Sequence, residues 1–554
     1  MPPPLSKYLP TECLEAIFSE IDPNDYCTLH SIILVNRKWC ESGIQMLWRK
    51  PLNCNTIPIE RLMKILPSYL AFVDQHDVDN KPLFNYPAFL RELNYNVLYK
   101  LVEAWIQANE PTKEDCLDID GTEFFTGNTF EERRFQIANE ICKVVILSQG
   151  GLDYFNVNLY PSFEKTTGHV WFEKCARAAT SEIPSFLAAS NCFADLETLV
   201  CNDFFNTNHF FIRLSQYAHS IQDLTISINC RYSLAIRDTR LSPFDMPLSN
   251  KNIEFIHLIN AQRKLKKLKI ENGNFVDISE ELSLIFNNHL TKSLEKLEIN
   301  GGMLSEDSAL EGLLKCKNLE QLSFENFTIT PGNLNSLAMT IFPKLNSIRF
   351  INIDRNWNQD PRNVTIHTNL VALIGNSNER LTSIFIYIKT SYCLNLLTKI
   401  AENCPNLVNF GTYLMNDQNA EDLLILLKTC RKLKSLKIPK SLELVYANAE
   451  DDAFQDSRLF QLYKYFPKIA ENLPACFENL NVAYWAILGK YFRGFLDKAP
   501  AGLTALTWAG EARAVNKHEN LLKQYAKKNG KRVKYFRINK LYSCDYAQIT
   551  AELE

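Results

Sequence analysis

The chain has 554 residues, more than the roughly 250–300 residues that a single hydrophobic core usually serves. Its 46% of hydrophobic and 22% of charged residues are typical of a folded soluble protein, and its net charge of -3 argues against a general nucleic-acid binder. No apolar run approaches the roughly 18 residues of a membrane-spanning helix, and residues 1–4 lack the basic start and apolar core of a secretory signal. We therefore expect several domains or a repeat array, with no membrane partner.

The first fifty residues predict three short helices. Leu9-Pro10 precedes the first helix, Thr11 is placed to cap it, and residues 22–25 have turn composition. The apolar residues of the helices recur at helical spacing: Leu14, Ile17, Phe18 and Ile21, then Leu29 and Ile33, then Cys40, Ile44, Leu47 and Trp48. Three helices of this length form only a marginal core, so we expect part of their apolar surface to bind a partner.

This segment, residues 5–51, resembles an F-box. The resemblance is carried by Leu9-Pro10, by the spacing of Leu14, Ile17 and Phe18, by Val35-Asn36-Arg37-Lys38-Trp39 and by Leu47-Trp48-Arg49, although the family often has Cys where this chain has Asn36. The resemblance implies that the segment docks a Skp-family adaptor and, through it, a cullin scaffold. The residues that it implies for adaptor binding are Leu9, Pro10, Leu14, Ile17, Phe18, Ile33, Val35, Trp39, Leu47 and Trp48. Which of these face the adaptor rather than the small core stays open.

Residues 52–150 are predicted to form a helical linker and an N-terminal cap. Two apolar stripes have helical spacing: Ile59, Leu62, Ile65 and Leu66, then Leu93, Val97, Leu101 and Trp105. The acidic stretch at 110–129 would lack essential calcium ligands at Cys116 and Gly127, so we interpret it as a solvated loop. A further helix is predicted from about Glu131 to Leu147. We expect the linker to join the first fifty residues rigidly to the chain beyond residue 150.

A repeated frame, L-x-x-L-x-(apolar)-x-N, organises the chain from residue 151 onward. Its clearest copies begin at Leu265, Leu294, Leu319 and Leu345, and looser copies begin at Leu152, Leu196, Ile221, Leu381, Leu407, Leu433, Phe477, Leu503 and Val533. This is the pattern of leucine-rich repeats, in which one strand and one returning helix recur every 20–29 residues or so. An Asn at the strand end can bond backbone groups at the turn. The predicted fold is α/β: an N-terminal three-helix F-box followed, over residues 151–554, by a leucine-rich-repeat solenoid with inserts, a horseshoe of parallel strands with outer helices.

Strand residues that alternate with the buried frame positions are expected to share the concave face of such a solenoid. The predicted substrate-binding residues there are Lys267, Lys269, Lys296, Glu298, Gln321, Ser323, Arg349 and Lys437, with Trp357 from a neighbouring insert. The cations outnumber the acid, so we expect a protein substrate with an acidic or phosphorylated surface. Two alternatives stay open: these residues are only solvated, or the site lies in the basic segment from Lys517 to Lys540.

The sixteen cysteines form no C-x-x-C pair. Cys316, Cys404 and Cys430 recur three residues before a frame leucine, which indicates small side chains packed between helix and strand rather than metal ligands. The sequence contains none of the common catalytic or cofactor motifs, so we expect no cofactor and no enzymatic activity. Reduced thiols without a secretory signal predict a cytoplasmic or nuclear protein.

The F-box resemblance and the repeats together predict a non-catalytic substrate-recognition adaptor of an SCF-type E3 ubiquitin ligase, which marks its substrate for ubiquitin-dependent degradation. The first alternative is a leucine-rich-repeat scaffold that acts outside any ligase. The second is a nucleic-acid or phospholipid binder that acts through the basic C-terminus.

Overall fold

A computed structural model of the chain describes residues 9–53, 58–73, 82–109, 130–148, 150–157, 191–202, 210–228, 254–272, 277–286, 289–353, 363–388, 395–439, 462–486, 489–509, 515–530, 533–538 and 548–553. Three parts of the sequence predictions lie outside these residues: the acidic stretch at 110–129, Trp357, and the residues Lys531, Arg532 and Lys540 of the basic C-terminal segment. The chain divides into two compact units, Met1–Gly273 and Asn274–Glu554.

The first unit begins with three helices, α1 (Thr11–Ser19), α2 (Tyr26–Ile33) and α3 (Arg37–Leu47). Asp25 and Asn36 begin α2 and α3, because each side chain accepts a hydrogen bond of 3.0 Å from a backbone N–H of the first turn. Asn36 therefore has a capping role at the position where the F-box family often has Cys. The predicted cap at Thr11 is wrong: Pro10 precedes the first turn, and no side chain caps α1.

Leu14, Phe18 and Ile32 form the core of these three helices, and all three are buried. Trp39 packs edge to face against Phe18, with ring centroids 5.2 Å apart. Aromatic pairs of this geometry contribute about 0.5–1.5 kcal/mol beyond the area they bury. The segment thus has a small closed core that uses only part of the predicted apolar stripe.

The remaining helices of the first unit are α4 (Ile59–Leu62), α5 (Leu66–Leu70), α6 (Tyr86–Phe89), α7 (Tyr95–Asn109), α8 (Phe130–Leu147), α9 (Phe210–Leu214) and α10 (Glu254–Ala261). Its strands are β1 (Glu92–Asn94), β2 (Tyr154–Asn156), β3 (Thr198–Asn202), β4 (Asp223–Ile228) and β5 (Lys267–Asn272). Each strand pairs in parallel with the next strand in the chain. The helix expected near Glu131 is α8, whereas β1 was not predicted: Leu93, assigned to a helical stripe, lies in this strand.

Several contacts join the end of α3 to α6 and to the first strands. Trp48 stacks on Tyr86 with ring centroids 4.1 Å apart. Arg49 forms an ion pair of 2.7 Å with Asp153, next to β2. The backbone N–H of Arg91, which precedes β1, donates a hydrogen bond of 2.9 Å to the carbonyl of Arg49. Side-chain and backbone contacts therefore both connect the three-helix segment to the sheet of its own unit.

The second unit contains the strands β6 (Lys296–Asn300), β7 (Gln321–Glu325), β8 (Ser347–Ile351), β9 (Ser383–Tyr387), β10 (Asn409–Thr412), β11 (Ser435–Lys437), β12 (Asn479–Ala486), β13 (Ala505–Ala509), β14 (Val533–Ile538) and β15 (Gln548–Leu553). Its helices are α11 (Ser279–Phe286), α12 (Pro331–Met339), α13 (Asn363–Ser377), α14 (Leu396–Asn403), α15 (Asp417–Thr429), α16 (Phe466–Asn472), α17 (Gly489–Lys498) and α18 (Val515–Asn529). From β6 to β14 each strand pairs in parallel with the next, and β15 pairs antiparallel with β14.

The repeat frame predicts the strands and their inward faces. Leu268, Leu297 and Leu322 are at most 1% exposed, and Leu297 lies beside Leu322 in the parallel register. Burial alternates along β6 and β8, so the residues between the buried ones form a second, more accessible row. The structure is thus α/β with parallel strands in chain order, which is consistent with a leucine-rich-repeat solenoid.

The asparagines that follow three successive strands form a ladder. Asn326 donates a side-chain hydrogen bond of 3.0 Å to Asn300, and Asn352 donates one of 3.0 Å to Asn326. Asn326 and Asn352 have φ angles of 52° and 51°, in the left-handed region that Asn tolerates better than most residues. Asn326 and Asn352 occupy the same position of the repeat frame and their side chains bond each other, whereas the sequence predicted bonds from such an Asn to backbone groups.

The three repeat-phased cysteines are buried, as the packing interpretation predicts. Burial raises the pKa of Cys316 and Cys404 to about 12 and that of Cys430 to about 11. The Cys430 thiol donates to the carbonyl of Cys404, 3.3 Å away. These thiols consequently stay protonated at neutral pH and serve as small packing groups.

Candidate interaction surfaces

The three-helix segment exposes apolar residues that its core does not cover. Ile17 on α1 is 52% exposed, and Leu34 and Val35, which follow α2, are 70% and 55% exposed. Burying a side chain of this type contributes about 1.5–3 kcal/mol, so leaving three of them in water is costly unless another molecule covers them. We call Ile17, Leu34 and Val35 the exposed apolar set.

The residues implied for adaptor binding separate into two groups. Leu14 and Phe18 lie in the core, Trp39 packs on Phe18, and Trp48 stacks on Tyr86. The others are at least partly accessible: Leu9, Pro10, Ile17, Ile33, Val35 and Leu47. Sequence spacing alone does not separate the groups, because one helical stripe contains both buried and exposed members. Leu34 was not among the implied residues, although it is the most exposed member of the set.

The accessible strand row carries charges, but most of them are paired. In the first unit Lys267 pairs with Asp223 at 3.2 Å, and Lys269 pairs with Glu271 at 2.7 Å. In the second unit Lys296 pairs with Glu298 at 2.8 Å. The expected excess of positive charge on these strands is thus neutralised locally, because Asp223 and Glu271 were not among the residues selected from the sequence.

Three further residues of the predicted substrate-binding set have surroundings that the sequence did not show. Ser323 is buried rather than solvent-facing, since the longer side chains of Glu298 and Arg349 flank it in register. Gln321 is half-buried at the start of β7. Arg349 forms an ion pair with Glu325 of the neighbouring strand.

One row of the second unit combines aromatic and cationic side chains. Arg349, Phe385, Gly411 and Lys437 occupy successive register positions across β8, β9, β10 and β11. The Arg349 guanidinium carbon lies 5.5 Å from the Phe385 ring centroid, and the Lys437 Nζ lies 5.3 Å from it. Both distances allow cation–π attraction. We call Arg349, Phe385, Tyr387, Gly411 and Lys437 the Phe385 patch.

Gly411 allows the rings of this patch to lie close to the sheet. A Cβ atom at this position would come within 2.3 Å of the Tyr387 hydroxyl and 2.5 Å of the Phe385 ring. Tyr387 is buried, which raises its pKa, and its ring lies 5.1 Å from that of Tyr413. The repeat frame places the four successive residues of this row in register, each four positions after a frame start, but only Arg349 and Lys437 were among the residues selected from the sequence.

Lys437 differs from the other cations of the row. Among the described residues no carboxylate lies within ion-pair distance of it, while Arg349, Lys296 and Lys269 each have one. Burial, followed by the nearby positive charge of Arg349, lowers the pKa of Lys437. A bound anion would offset that cost, so Lys437 is the member of the row best suited to meet an acidic group.

A polar groove of about 830 Å³ lies within the first unit, between the end of α3 and the first strands. Two of its three cations are engaged: Arg49 pairs with Asp153, and Arg91 donates a bond of 2.6 Å to the carbonyl of Gly151, while Lys264 also lines the groove. Asp195 and Glu197 also line the groove. The lining is predominantly a set of hydrogen-bonded structural contacts that hold α3 to the strands.

The described part of the chain contains neither a candidate membrane span nor a candidate metal site. No helix there is long and apolar enough to cross a bilayer. No group of three His, Cys, Asp or Glu side chains in the same residues is arranged to hold a metal ion.

Comparisons with known proteins give only distant similarities. No family model and no curated protein matches the chain. Among solved structures, the chain is similar to a chain in the crystal structure of the yeast Rad7 and Elc1 complex, with 11% identity and a TM-score of 0.36 over 62% of this chain and 91% of that one. It is also similar to an internalin, InlF, of Listeria monocytogenes strain 4b F2365, with 12% identity and a TM-score of 0.28 over 61% of this chain and 88% of that one. The fold description therefore rests on the strand pairing of the chain itself.

Proposed function

We propose that this chain is a non-catalytic substrate-recognition adaptor of an SCF-type E3 ubiquitin ligase. In this proposal the three-helix segment is an F-box that binds a Skp-family adaptor and, through it, a cullin scaffold. The strand rows bind a protein substrate for ubiquitination and subsequent degradation. The protein acts in the cytoplasm or nucleus, a location that fits the free thiols of the described cysteines.

The observation that carries the proposal is the exposed apolar set. Ile17, Leu34 and Val35 remain accessible although the core formed by Leu14 and Phe18 is closed. Isolated exposed apolar residues are ordinary on protein surfaces. Three of them on a segment of about fifty residues with the sequence features of an F-box fit a surface that a partner covers.

The junction between α3 and the sheet supports the same proposal. A substrate receptor must hold the substrate at a fixed distance from the ligase. The stack of Trp48 on Tyr86 and the backbone bond between Arg91 and Arg49 make a stiff connection within the first unit.

The proposal is tested by affinity purification of the full-length chain from cells that contain a Skp-family adaptor and its cullin. The wild-type chain should retain both proteins. Ile17→Asp places a charge where a partner would bury it, a cost of several kcal/mol, and should lose both. Met339→Asp is the matched control, because Met339 is an exposed apolar residue of the repeat region, 69% accessible. Equal recovery with Ile17→Asp and the wild type would refute the F-box assignment and favour a scaffold outside any ligase.

A further inference from the structure

The Phe385 patch has a charge balance that specifies what it can bind. Arg349 on the adjacent strand β8 and Lys437 on β11, two strands away, both approach the Phe385 ring, and Glu325 pairs with Arg349. Among the described residues of the patch and its ion pair, two cations and one carboxylate leave a single positive charge, which is centred on Lys437. A site with one net positive charge is electrostatically complementary to a ligand group that carries one negative charge.

We propose that the Phe385 patch binds one carboxylate side chain of an acidic peptide segment, with Lys437 as its ion-pair partner and Phe385 and Tyr413 as the surface for an adjacent apolar side chain. This inference deepens the proposed function, because it names the class of substrate that the strand row selects. The site is a binding surface and involves no chemical step.

The geometry favours an extended peptide. Arg349, Phe385, Gly411 and Lys437 lie on four adjacent parallel strands, which are spaced by about 4.8 Å. The patch therefore extends for about 14 Å across the strands, enough for four extended residues. Gly411 leaves no side chain above the sheet between Phe385 and Lys437, and the Phe385 and Tyr387 rings pack against it. A ligand that crosses the row would thus contact a ring surface first and the Lys437 ammonium next.

A carboxylate fits this patch better than a phosphate does. A phosphate monoester carries about -1.5 to -2 charges at neutral pH and is usually held by several arginine donors. Arg349 already donates to Glu325, whose own negative charge would repel a dianion. Lys437 alone offers a compact ammonium group, which matches one carboxylate.

Partial burial strengthens the proposed contact. Lys437 is half-buried, and burial together with the charge of Arg349 lowers its pKa. An ammonium group that has already lost part of its hydration pays less to exchange water for a carboxylate. An ion pair at this position should therefore exceed the 0–1 kcal/mol or so of a fully exposed pair.

The test is a selection of a random dodecapeptide library on the full-length chain. We expect the enriched peptides to share an Asp or Glu beside an apolar residue. A synthetic copy of the strongest peptide should bind Lys437→Met at least about tenfold more weakly, a loss of about 1.4 kcal/mol. Lys437→Arg keeps the positive charge, so its affinity for the peptide should fall by less than that of Lys437→Met. Lys434→Met is the matched control, because Lys434 lies on the same stretch but pairs with Glu478 at 2.9 Å.

Three outcomes would overturn the proposal. The first is that no peptide is enriched or that the enriched peptides lack an acid. The second is equal binding to Lys437→Met and to the wild type. The third is tighter binding when phosphoserine replaces the acid, which would assign the patch to phosphopeptides. The proposed ligase role is measured separately: retention of the Skp-family adaptor depends on Ile17 and should be unchanged in Lys437→Met. Failure of one claim is therefore distinguishable from failure of the other.

Discussion

Arg49, two residues beyond α3, forms an ion pair of 2.7 Å with Asp153, which directly precedes β2. The two residues are 104 positions apart in the chain, and the pair lies beside the stack of Trp48 on Tyr86. The side chains of the pair are 43% and 32% exposed, so solvent screens it and it should contribute no more than about 1 kcal/mol. The half-buried stack of Trp48 on Tyr86 removes apolar surface from water, so we expect it to contribute more to this junction than the ion pair does.

Replacing Trp48 should therefore loosen the junction much more than replacing Arg49. Trp48→Ala removes the stack on Tyr86 and the tilted contact with Tyr69, 5.7 Å away, and should destabilise the first unit by about 3 kcal/mol. Arg49→Ala should cost about 1 kcal/mol or less. Hydrogen exchange of the β1 and β2 amides measures the difference. Similar exchange rates in the two variants would contradict this ranking.

The inward register of the repeats predicts a large difference between adjacent positions of β7. Leu322 is 1% exposed, and Leu322→Ala should cost about 2–5 kcal/mol through lost burial and the cavity left behind. Gln321→Ala changes a half-buried polar residue one position earlier and should cost less than about 1 kcal/mol. Thermal unfolding of the two variants, followed by circular dichroism, tests the register. Equal losses would show that the assigned register is wrong.

The asparagine ladder predicts that backbone conformation and side-chain bonding make separable contributions. Asn326→Ala loses the bonds to Asn300 and Asn352 and also forces Ala into a φ of 52°. Asn326→Gly loses the same side-chain bonds but accepts that φ readily. Ala should therefore destabilise the second unit by about 1 kcal/mol more than Gly does. A Gly variant less stable than the Ala variant would rule out strain at this turn as a factor.

The raised thiol pKa values predict selective cysteine reactivity. Burial raises the pKa of Cys316 and Cys404 to about 12, so at pH 8 these thiols are protonated in the folded protein as well as inaccessible. Cys13 and Cys27 are exposed on the three-helix segment. Brief alkylation at pH 8 followed by peptide mass spectrometry should modify the exposed pair and spare the buried pair until denaturant is added. Rapid native labelling of Cys316 would contradict its packing role.

The sequence predicted the strands of the repeats well because their signal is periodic and recurs many times. A strand of three residues such as β1 offers one buried position, Leu93, and this residue also fits the helical spacing of Val97 and Leu101. Periodicity therefore could not separate strand from helix there. The sequence also did not predict the local charge balance, because it does not show which side chains pair. In the structure Glu325 neutralises Arg349, and Glu271 neutralises Lys269.

The interaction surfaces were predictable only in part. The N-terminal spacing identified the apolar stripe, but whether Leu14 or Ile17 faces inward depends on how α1 packs against α3, which the spacing does not determine. The repeat frame did predict the register of the Phe385 patch: Arg349 and Phe385 each lie four residues after a frame start, at Leu345 and Leu381, and they pair in the sheet. The sequence did not show that the Phe385 ring lies within cation–π distance of Arg349 and Lys437, because that distance depends on side-chain conformation.

Calorimetric titration of a purified Skp-family adaptor into the purified full-length chain tests the central claim most directly. We expect a binding stoichiometry of one adaptor per chain for the wild type and for Met339→Asp. We expect at least about a tenfold weaker affinity for Ile17→Asp and for Val35→Asp, since a tenfold loss corresponds to only 1.4 kcal/mol or so, less than the cost of burying an unpaired charge. An absence of binding heat with the wild-type chain, or equal affinities for wild type and Ile17→Asp, would contradict the F-box assignment.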